Sequence, residues 1–322
     1  MVVTTVPLGR SGLEVTPLAF GTWAWGDAGY WGYGTRHGPA EAVDAFVAAL
    51  DGGVRFFDSA EVYGHGESER VLGALARRAG APLVLATKFA PLAGRGGARA
   101  VPGALAASLR RLGVRRVDLY LAHWADREEA PIDALMGALA GAVQRGLVRA
   151  VGVSNFTAAE LREAHAALSR RGVPLAAQQV RYSALDRSPE RDGVLDACRE
   201  LGVTLLAYSP LAQGVLAGAY TAARPPPGPR AARPEFAPER LRAAEPLVSL
   251  LRAIGAARGG RGPEQVALNW LRAKPGVVPV VGATSGEQAR RCAASLEWAL
   301  TDDEVARIDA LSADLQETAA TG

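Results

Sequence analysis

Residues 148–182 read VRAVGVSNFTAAELREAHAALSRRGVPLAAQQVRY, and the fold turns on this stretch. Two runs, 148–155 and 175–182, are rich in Val, Ala and Leu and read as strands buried on both faces. Between them, 157–172 has helical patterning. Thr157 opens it and Glu160 follows three residues later, the arrangement of a capping box. A strand, a helix and a second strand at this spacing form a crossover unit, which joins parallel strands.

Working outward, the same alternation covers the chain. Strand-type runs precede it at 18–23, 54–60, 83–89 and 117–123, and follow it at 204–210 and 277–283. Helical patterns fill the gaps; GPAEAVDAFVAALDGG has Pro near its start and Gly at its end, where each is favoured. Eight strands close a barrel, and 322 residues fit one (β/α)8 barrel of ~250 residues with additions. The expected fold is therefore an α/β TIM barrel spanning 1–322 as one domain. A β-hairpin outside the barrel comes first and an extra helix at 301–314 comes last. A Pro/Arg-rich loop at 222–240 follows the seventh strand, and loops that long are usually functional or mobile.

Bulk properties narrow the class. Hydrophobic residues at 49% and charged residues at 21% allow a sizeable core. A net charge of +3 is too small to argue for nucleic acid. Two distant cysteines and four histidines show no metal-type spacing, so no metal is expected. The absence of a disulfide framework, of a signal-peptide core in MVVTTVPLGR and of a membrane-length apolar run makes a cytoplasmic setting the expectation. His37, His165 and Lys274 read as surface residues, and Trp270 and Trp298 as helix packing.

In such barrels the chemistry lies at the carboxyl ends of the strands. Those ends carry Asp58, Lys88, His123, Ser154-Asn155, Gln178-Gln179, Tyr208-Ser209 and Gly282-Ala283-Thr284. Asp58 and Lys88 fall on neighbouring strands at similar depth, so they can form a buried pair. An ammonium near Tyr63 should lower the phenol's pKa toward working pH and make it a general acid. His123 can donate to the same reacting oxygen. Lysine occurs only at 88 and 274 among 36 Lys and Arg residues, so Lys88 is no interchangeable surface cation.

GVRFFDSAEVYGHGESERVLG, ATKF, LAHW, VGVSNF, QQVRYS and AYSPLAQGVLAG together resemble the aldo-keto reductases, over residues 7 to about 314. The resemblance implies reduction of an aldehyde or ketone by a nicotinamide cofactor. In that role Tyr63 gives the proton, Lys88 and Asp58 tune it, and His123 orients the carbonyl. It also implies that Ser154, Asn155 and Gln179 hold the carboxamide, with Tyr208 stacked on the nicotinamide. Ser209, Pro210, Leu211, Ala212 and Gln213 would follow the diphosphate. Thr22 and Trp23 would border cofactor and substrate, and Trp124 would line the substrate pocket. Gly282, Thr284, Gln288 and Arg291 would complete the cofactor site. The resemblance has two departures near the adenosine end: Ala219 stands where relatives often have Lys, and Arg291-Cys292 where they have Glu-Asn.

NADPH is expected over NAD, because Arg290 and Arg291, or Arg224, Arg230 and Arg233, could meet a 2′-phosphate. The expected partner is a small carbonyl compound, with no nucleic acid or membrane, and the chain monomeric or a weak homo-oligomer. The aromatic, glycine-rich loop 24–39 suggests a flat aldehyde of pyridoxal type. Two rival readings are a cofactor-sensing regulatory subunit, like the potassium-channel β-subunits of the same family, and a Schiff-base enzyme using Lys88.

Overall fold

The computed structural model describes residues 4–92, 94, 97–125 and 131–320. A short hairpin opens the chain, β1 (Val6–Pro7) pairing antiparallel with β2 (Glu14–Val15). Eight parallel strands then close into a barrel: β3 (Ala19–Gly21), β4 (Phe56–Asp58), β5 (Val84–Phe89), β6 (Val117–Ala122), β7 (Val148–Ser154), β8 (Leu175–Arg181), β9 (Thr204–Tyr208) and β10 (Val277–Gly282). Each strand pairs with its successor, and β10 pairs with β3. The expected strands are present, trimmed by a residue or two at most ends, where polar loop residues stop the pairing.

The hairpin seals one end of the barrel. Leu8, Leu13 and Val15 pack into the barrel interior with Phe56, Leu119, Leu121, Leu206, Val278 and Val280. The hairpin turn lies so close that Gly9 has a left-handed φ of 55°, and a Cβ there would overlap the carbonyl oxygen of Ala176. Only glycine meets both demands. The Gly9 N–H donates to Thr204 Oγ1 at 2.7 Å, tying the plug to the start of β9.

Helices α1 (Pro39–Asp51), α2 (Glu67–Ala76), α3 (Val101–Leu112), α4 (Ile132–Gln144), α5 (Ala158–Ser169), α6 (Ser188–Arg191), α7 (Val194–Leu201), α8 (Pro238–Ala257), α9 (Pro263–Arg272) and α10 (Gly286–Ala293) follow the strands, and α11 (Asp302–Ala320) ends the described chain. The capping box of α5 is formed: Thr157 N–H donates to Glu160 Oε2 at 2.8 Å, and Glu160 N–H to Thr157 Oγ1 at 3.3 Å. The last helix runs further than expected, to residue 320. The loop at 222–240 folds into two 3₁₀ turns that bury Phe236 against Val215, Leu241 and Ala244 before α8 begins.

Two surface expectations are corrected. His37 is buried, its Nε2 2.7 Å from the Ala24 carbonyl, because the 24–37 loop folds back over the barrel rim. Lys274 lies over the Trp270 ring and reaches both carboxylate oxygens of Asp309 at 2.8 Å, so its stem is packed and its charge paired. Among the described residues no helix is long and apolar enough to cross a membrane, and no group of three His, Cys, Asp or Glu could hold a metal ion.

Candidate active site

Register determines which side chains meet. Gly21 lies beside Asp58, and Ser154 beside Gln179, so residues at or near the carboxyl ends of successive strands stand side by side at the open end of the barrel. Asp58 ends β4, Lys88 is the penultimate residue of the neighbouring β5, and both are buried, 2% and 0% exposed. Lys88 Nζ reaches Asp58 Oδ2 at 2.5 Å, the Ser59 carbonyl at 2.8 Å and Tyr63 Oη at 3.3 Å. Gln179 Nε2 donates to Asp58 Oδ1 at 3.2 Å from across the barrel. The ammonium's three donors thus have three acceptors, all of them from the 58–63 stretch that carries the phenol.

Tyr63 is held there by its own loop. Gly64 has φ of 54°, and a Cβ would overlap the Gly26 carbonyl, so glycine locks this turn against the loop after β3. The Tyr63 ring stacks on Trp23 at 5.6 Å and meets the His123 ring edge-on at 5.7 Å. Trp23 in turn stacks on Tyr30 at 4.9 Å.

Electrostatics follow from burial. Burial pushes the Tyr63 phenol above its ordinary range, Lys88 pulling the other way. The expected net lowering does not occur in the protein as it stands, because lost solvation outweighs the ammonium. Burial opposes the Lys88 charge, but Asp58 and Tyr63 outweigh it and raise its pKa, so it stays an ammonium. Burial likewise works against the Asp58 carboxylate, with Lys88 and Gln179 countering. His123 is pushed down to about 2, by burial first and by Lys88 second, and is a neutral imidazole at any ordinary pH. Its Nδ1 is buried without a hydrogen-bond partner.

These groups stand at one side of a cavity of about 890 Å³. Its wall includes Trp23, Asp58, Tyr63, His123, Ser154, Asn155, Gln179, Tyr208, Ser209, Pro210, Leu211, Gln213, Gly282, Thr284, Gln288 and Arg291. Lys88 lies behind Tyr63 rather than on the wall. Three other candidates are also off it. Thr22 is a clamp beneath the site, its hydroxyl bonded to the Asp58 carbonyl at 3.1 Å and to Ser68 Oγ at 2.7 Å. Ala212 sits in the loop without lining the cavity. Trp124 packs on His123 at 4.6 Å and donates to the Pro91 carbonyl at 2.9 Å.

The 2′-phosphate candidates divide in the same way. Arg230 and Arg291 line the cavity, whereas Arg224, Arg233 and Arg290 are exposed away from it. Sequence reasoning missed Asp27, Trp31, Tyr220, Glu264 and Cys292 on the wall. Of these, the aromatic density of the 24–39 loop left a trace in the sequence, and Cys292 stood out there as a departure beside Arg291. Cys292 is no nucleophile: burial pushes its thiol up to about 12.

Four non-glycine residues at the rim have left-handed backbone: Asn155, Ser209, Ala212 and Gln213, with φ of 57°, 52°, 45° and 52°. Such strain persists where surroundings over-determine it, typically at ligand sites. Asn155 Nδ2 donates to the His123 carbonyl at 3.0 Å, and its Oδ1 accepts from Tyr208 Oη at 3.1 Å, so one strained residue bridges three strand ends.

Comparison with known proteins identifies the family. The Aldo/keto reductase family matches residues 17–313. The chain is 37% identical to the chloroplastic pyridoxal reductase of Arabidopsis thaliana over 309 residues, 92% of this chain and 83% of that protein. It is 39% identical to an uncharacterised oxidoreductase of Mycobacterium bovis, over 85% of this chain and 82% of the relative. Among solved structures it resembles a thermostable aldo-keto reductase in complex with the inhibitor epalrestat, with TM-score 0.76 and 32% identity, covering 96% of this chain and 99% of the other. It also resembles the glycerol dehydrogenase of Gluconobacter oxydans, with TM-score 0.82 and 26% identity, covering 98% and 96%. The chain belongs to the aldo-keto reductase family and is an NAD(P)H-dependent oxidoreductase acting on carbonyl compounds.

Proposed function

We propose that this chain reduces an aldehyde to its alcohol with NADPH, Tyr63 supplying the proton. One observation carries the reading: a cavity-facing phenol lies 3.3 Å from a buried ammonium that is itself fixed by a carboxylate and a backbone carbonyl. The cofactor, when bound, supplies hydride to the carbonyl carbon. The chain's residues serve the oxygen. As that oxygen gains charge, Tyr63 Oη and the neutral His123 ring are the donors beside it. A phenol raised by burial is fully protonated at neutral pH, which an acid must be before it donates. Lys88 then stabilises the phenolate that donation leaves. Asp58 and Gln179 keep Lys88 charged and aimed. The same engagement speaks against Lys88 as a Schiff-base nucleophile, which needs a free neutral amine.

The residues at hand fit a nicotinamide cofactor. Ser154, Asn155 and Gln179 offer donors and acceptors suited to a carboxamide, beside the face of Tyr208. The strained 209–213 segment suits a diphosphate. Arg291 supports NADPH: its side chain is 52% exposed and only loosely held, 3.5 Å from Glu264 and 3.7 Å from Glu287, so it can turn to a 2′-phosphate. Measured kcat/KM for NADPH above that for NADH at matched salt is the expected result. The aromatic wall of Trp23 and Trp31, with Tyr30 stacked on Trp23, together with the 37% identity to a pyridoxal reductase, favours a flat, ring-bearing aldehyde.

Tyr63→Phe tests the central assignment. Cofactor binding should stay near wild type, and carbonyl reduction should fall ~10²–10⁴-fold. Turnover above about a tenth of wild type, with chemistry rate-limiting, removes Tyr63 from the role. No turnover by wild type across a panel of aldehydes, with cofactor still bound, would favour the regulatory-subunit reading instead.

A further inference from the structure

The cavity has a roof, made where the loop after β3 meets the loop after β9. Tyr30 Oη donates to Gln213 Oε1 at 2.8 Å, and Arg36 Nη1 to the Pro227 carbonyl at 3.2 Å. Beneath this latch lies Arg230, a wall residue only 6% exposed. Its guanidinium stands over the Trp31 ring at 4.7 Å and the Tyr220 ring at 5.3 Å. Nη2 donates to Tyr220 Oη at 3.0 Å and Nη1 to the Gln213 carbonyl at 3.4 Å, both neutral acceptors. Nε is buried and has no hydrogen-bond partner.

Two acids of the same wall are engaged elsewhere. Asp58 holds Lys88. Asp27 accepts from Trp23 Nε1 and from the Tyr30 N–H, each at 2.7 Å. Glu264 has only a loose contact with Arg291, at 3.5 Å, and does not reach Arg230 either. Among the described residues no carboxylate pairs with Arg230. A buried guanidinium without a counter-charge is costly, and stacking on two rings offsets only part of that cost. Its planar fork is the group best shaped to receive an oxyanion.

We infer that Arg230 is an anion subsite of the substrate cavity, taking the carboxylate or phosphate of an aldehyde whose carbonyl end lies at Tyr63. The path between them is a continuous aromatic wall. Arg230 lies on Trp31, Trp31 meets Trp23 edge-on at 5.6 Å, and Trp23 stacks on Tyr63 at 5.6 Å. The substrate's body lies along this wall. The inference rests on the reading of Tyr63 as the proton donor. The other source of an oxyanion is the cofactor's diphosphate, and the test separates the two.

The experiment compares kcat/KM for pairs of aldehydes of equal length, one ending in carboxylate and one in methyl, with the chain lengthened stepwise. Wild type should prefer the carboxylate member by about tenfold at one or two lengths, the worth of a charge-assisted bond. Arg230→Gln should abolish the preference, and Arg230→Lys should restore part of it. Arg230→Met, which keeps the stack and loses the charge, replaces the Gln variant if that variant melts early. In parallel, tryptophan fluorescence of the cofactor-free protein is titrated with benzoate and with inorganic phosphate. Because Trp31 lies under the guanidinium, a saturable change is expected in wild type and not in Arg230→Gln. That arm reads the subsite even if no aldehyde is turned over. The inference is overturned by absence of any preference in wild type, by a preference that survives Arg230→Gln, or by an unresponsive wild-type titration. It is equally overturned if the variant loses both members of each pair alike while its NADPH dissociation constant rises, since that assigns Arg230 to the cofactor.

Discussion

The two ends of this barrel are built from the same eight strands and follow opposite rules. At the amino end, Leu8, Leu13 and Val15 plug the interior, and the contacts are apolar. At the carboxyl end the strands carry Asp58, Lys88, Ser154, Gln179 and Tyr208 at or within two residues of their last position, beside an open cavity. The plug stabilises by removing hydrocarbon from water. The open end holds a buried ion pair, a neutral histidine with an unpartnered nitrogen and four strained rim residues. None of these is what a chain selected for stability alone would keep. One end is therefore spent on holding the barrel closed and the other on the chemistry.

If the contrast is sound, the largest effects should come from the charged end, where activity and stability can be separated. Lys88→Met leaves Asp58 buried without its partner and should cost ~3–5 kcal/mol, with reduction lost. Adding Asp58→Asn should recover much of the stability in urea denaturation without recovering reduction. If activity returned with stability, Lys88 would be a structural pair only.

At the plugged end the expectation reverses. Leu8→Ala opens a cavity in a fully buried site and should cost ~2–5 kcal/mol. The kcat of the protein that remains folded should change little. A large fall in kcat below the melting transition would mean that the two ends are coupled.

His123 sharpens the contrast through pH. Its folded pKa is pushed down to about 2 while the unfolded chain titrates near ~6.5, so the unfolded state binds the extra proton between those values. Stability therefore falls as pH drops below ~6.5, by up to ~1.4 kcal/mol per pH unit from this group. His123→Leu should flatten that slope in pH-dependent denaturation. In NMR, the His123 ring signals should stay still between pH 8 and 4. Titration of His123 near 6.5 would show that the imidazole is not buried as described.

The smallest effect is expected at the rim. Thr157→Ala removes the cap of α5 just beyond the Ser154-Asn155 strand end and should cost ~1 kcal/mol in thermal denaturation, with cofactor affinity preserved. A marked loss of cofactor affinity would show that the cap also holds Asn155 in its strained conformation.

Much of this contrast was legible in the linear chain. Strand positions follow from apolar runs punctuated by helix signals, because local periodicity records which faces are buried. Asp58, Lys88 and His123 stood out because a polar residue that ends an apolar run has few structural reasons to be there. Tyr63 followed from its distance to Asp58 along the chain. What escaped was whatever depends on two distant segments meeting. Arg230 and Trp31 are 199 positions apart, and although each belongs to a loop that stood out by itself, nothing local shows that the two meet in one cavity wall. Trp124 turned onto His123, Thr22 became a clamp, and His37 and Lys274 were packed away, each through tertiary contacts that no local pattern records. The direction of the Tyr63 shift escaped for the same reason. The ammonium that lowers a phenol's pKa is visible in sequence, but the lost solvation that outweighs it exists only once the barrel has closed. Local sequence determined the alternation of elements and the chemistry at the strand ends. Only the tertiary structure decided the walls of the cavity and the balance of charge within it, because burial is a property of the assembled whole.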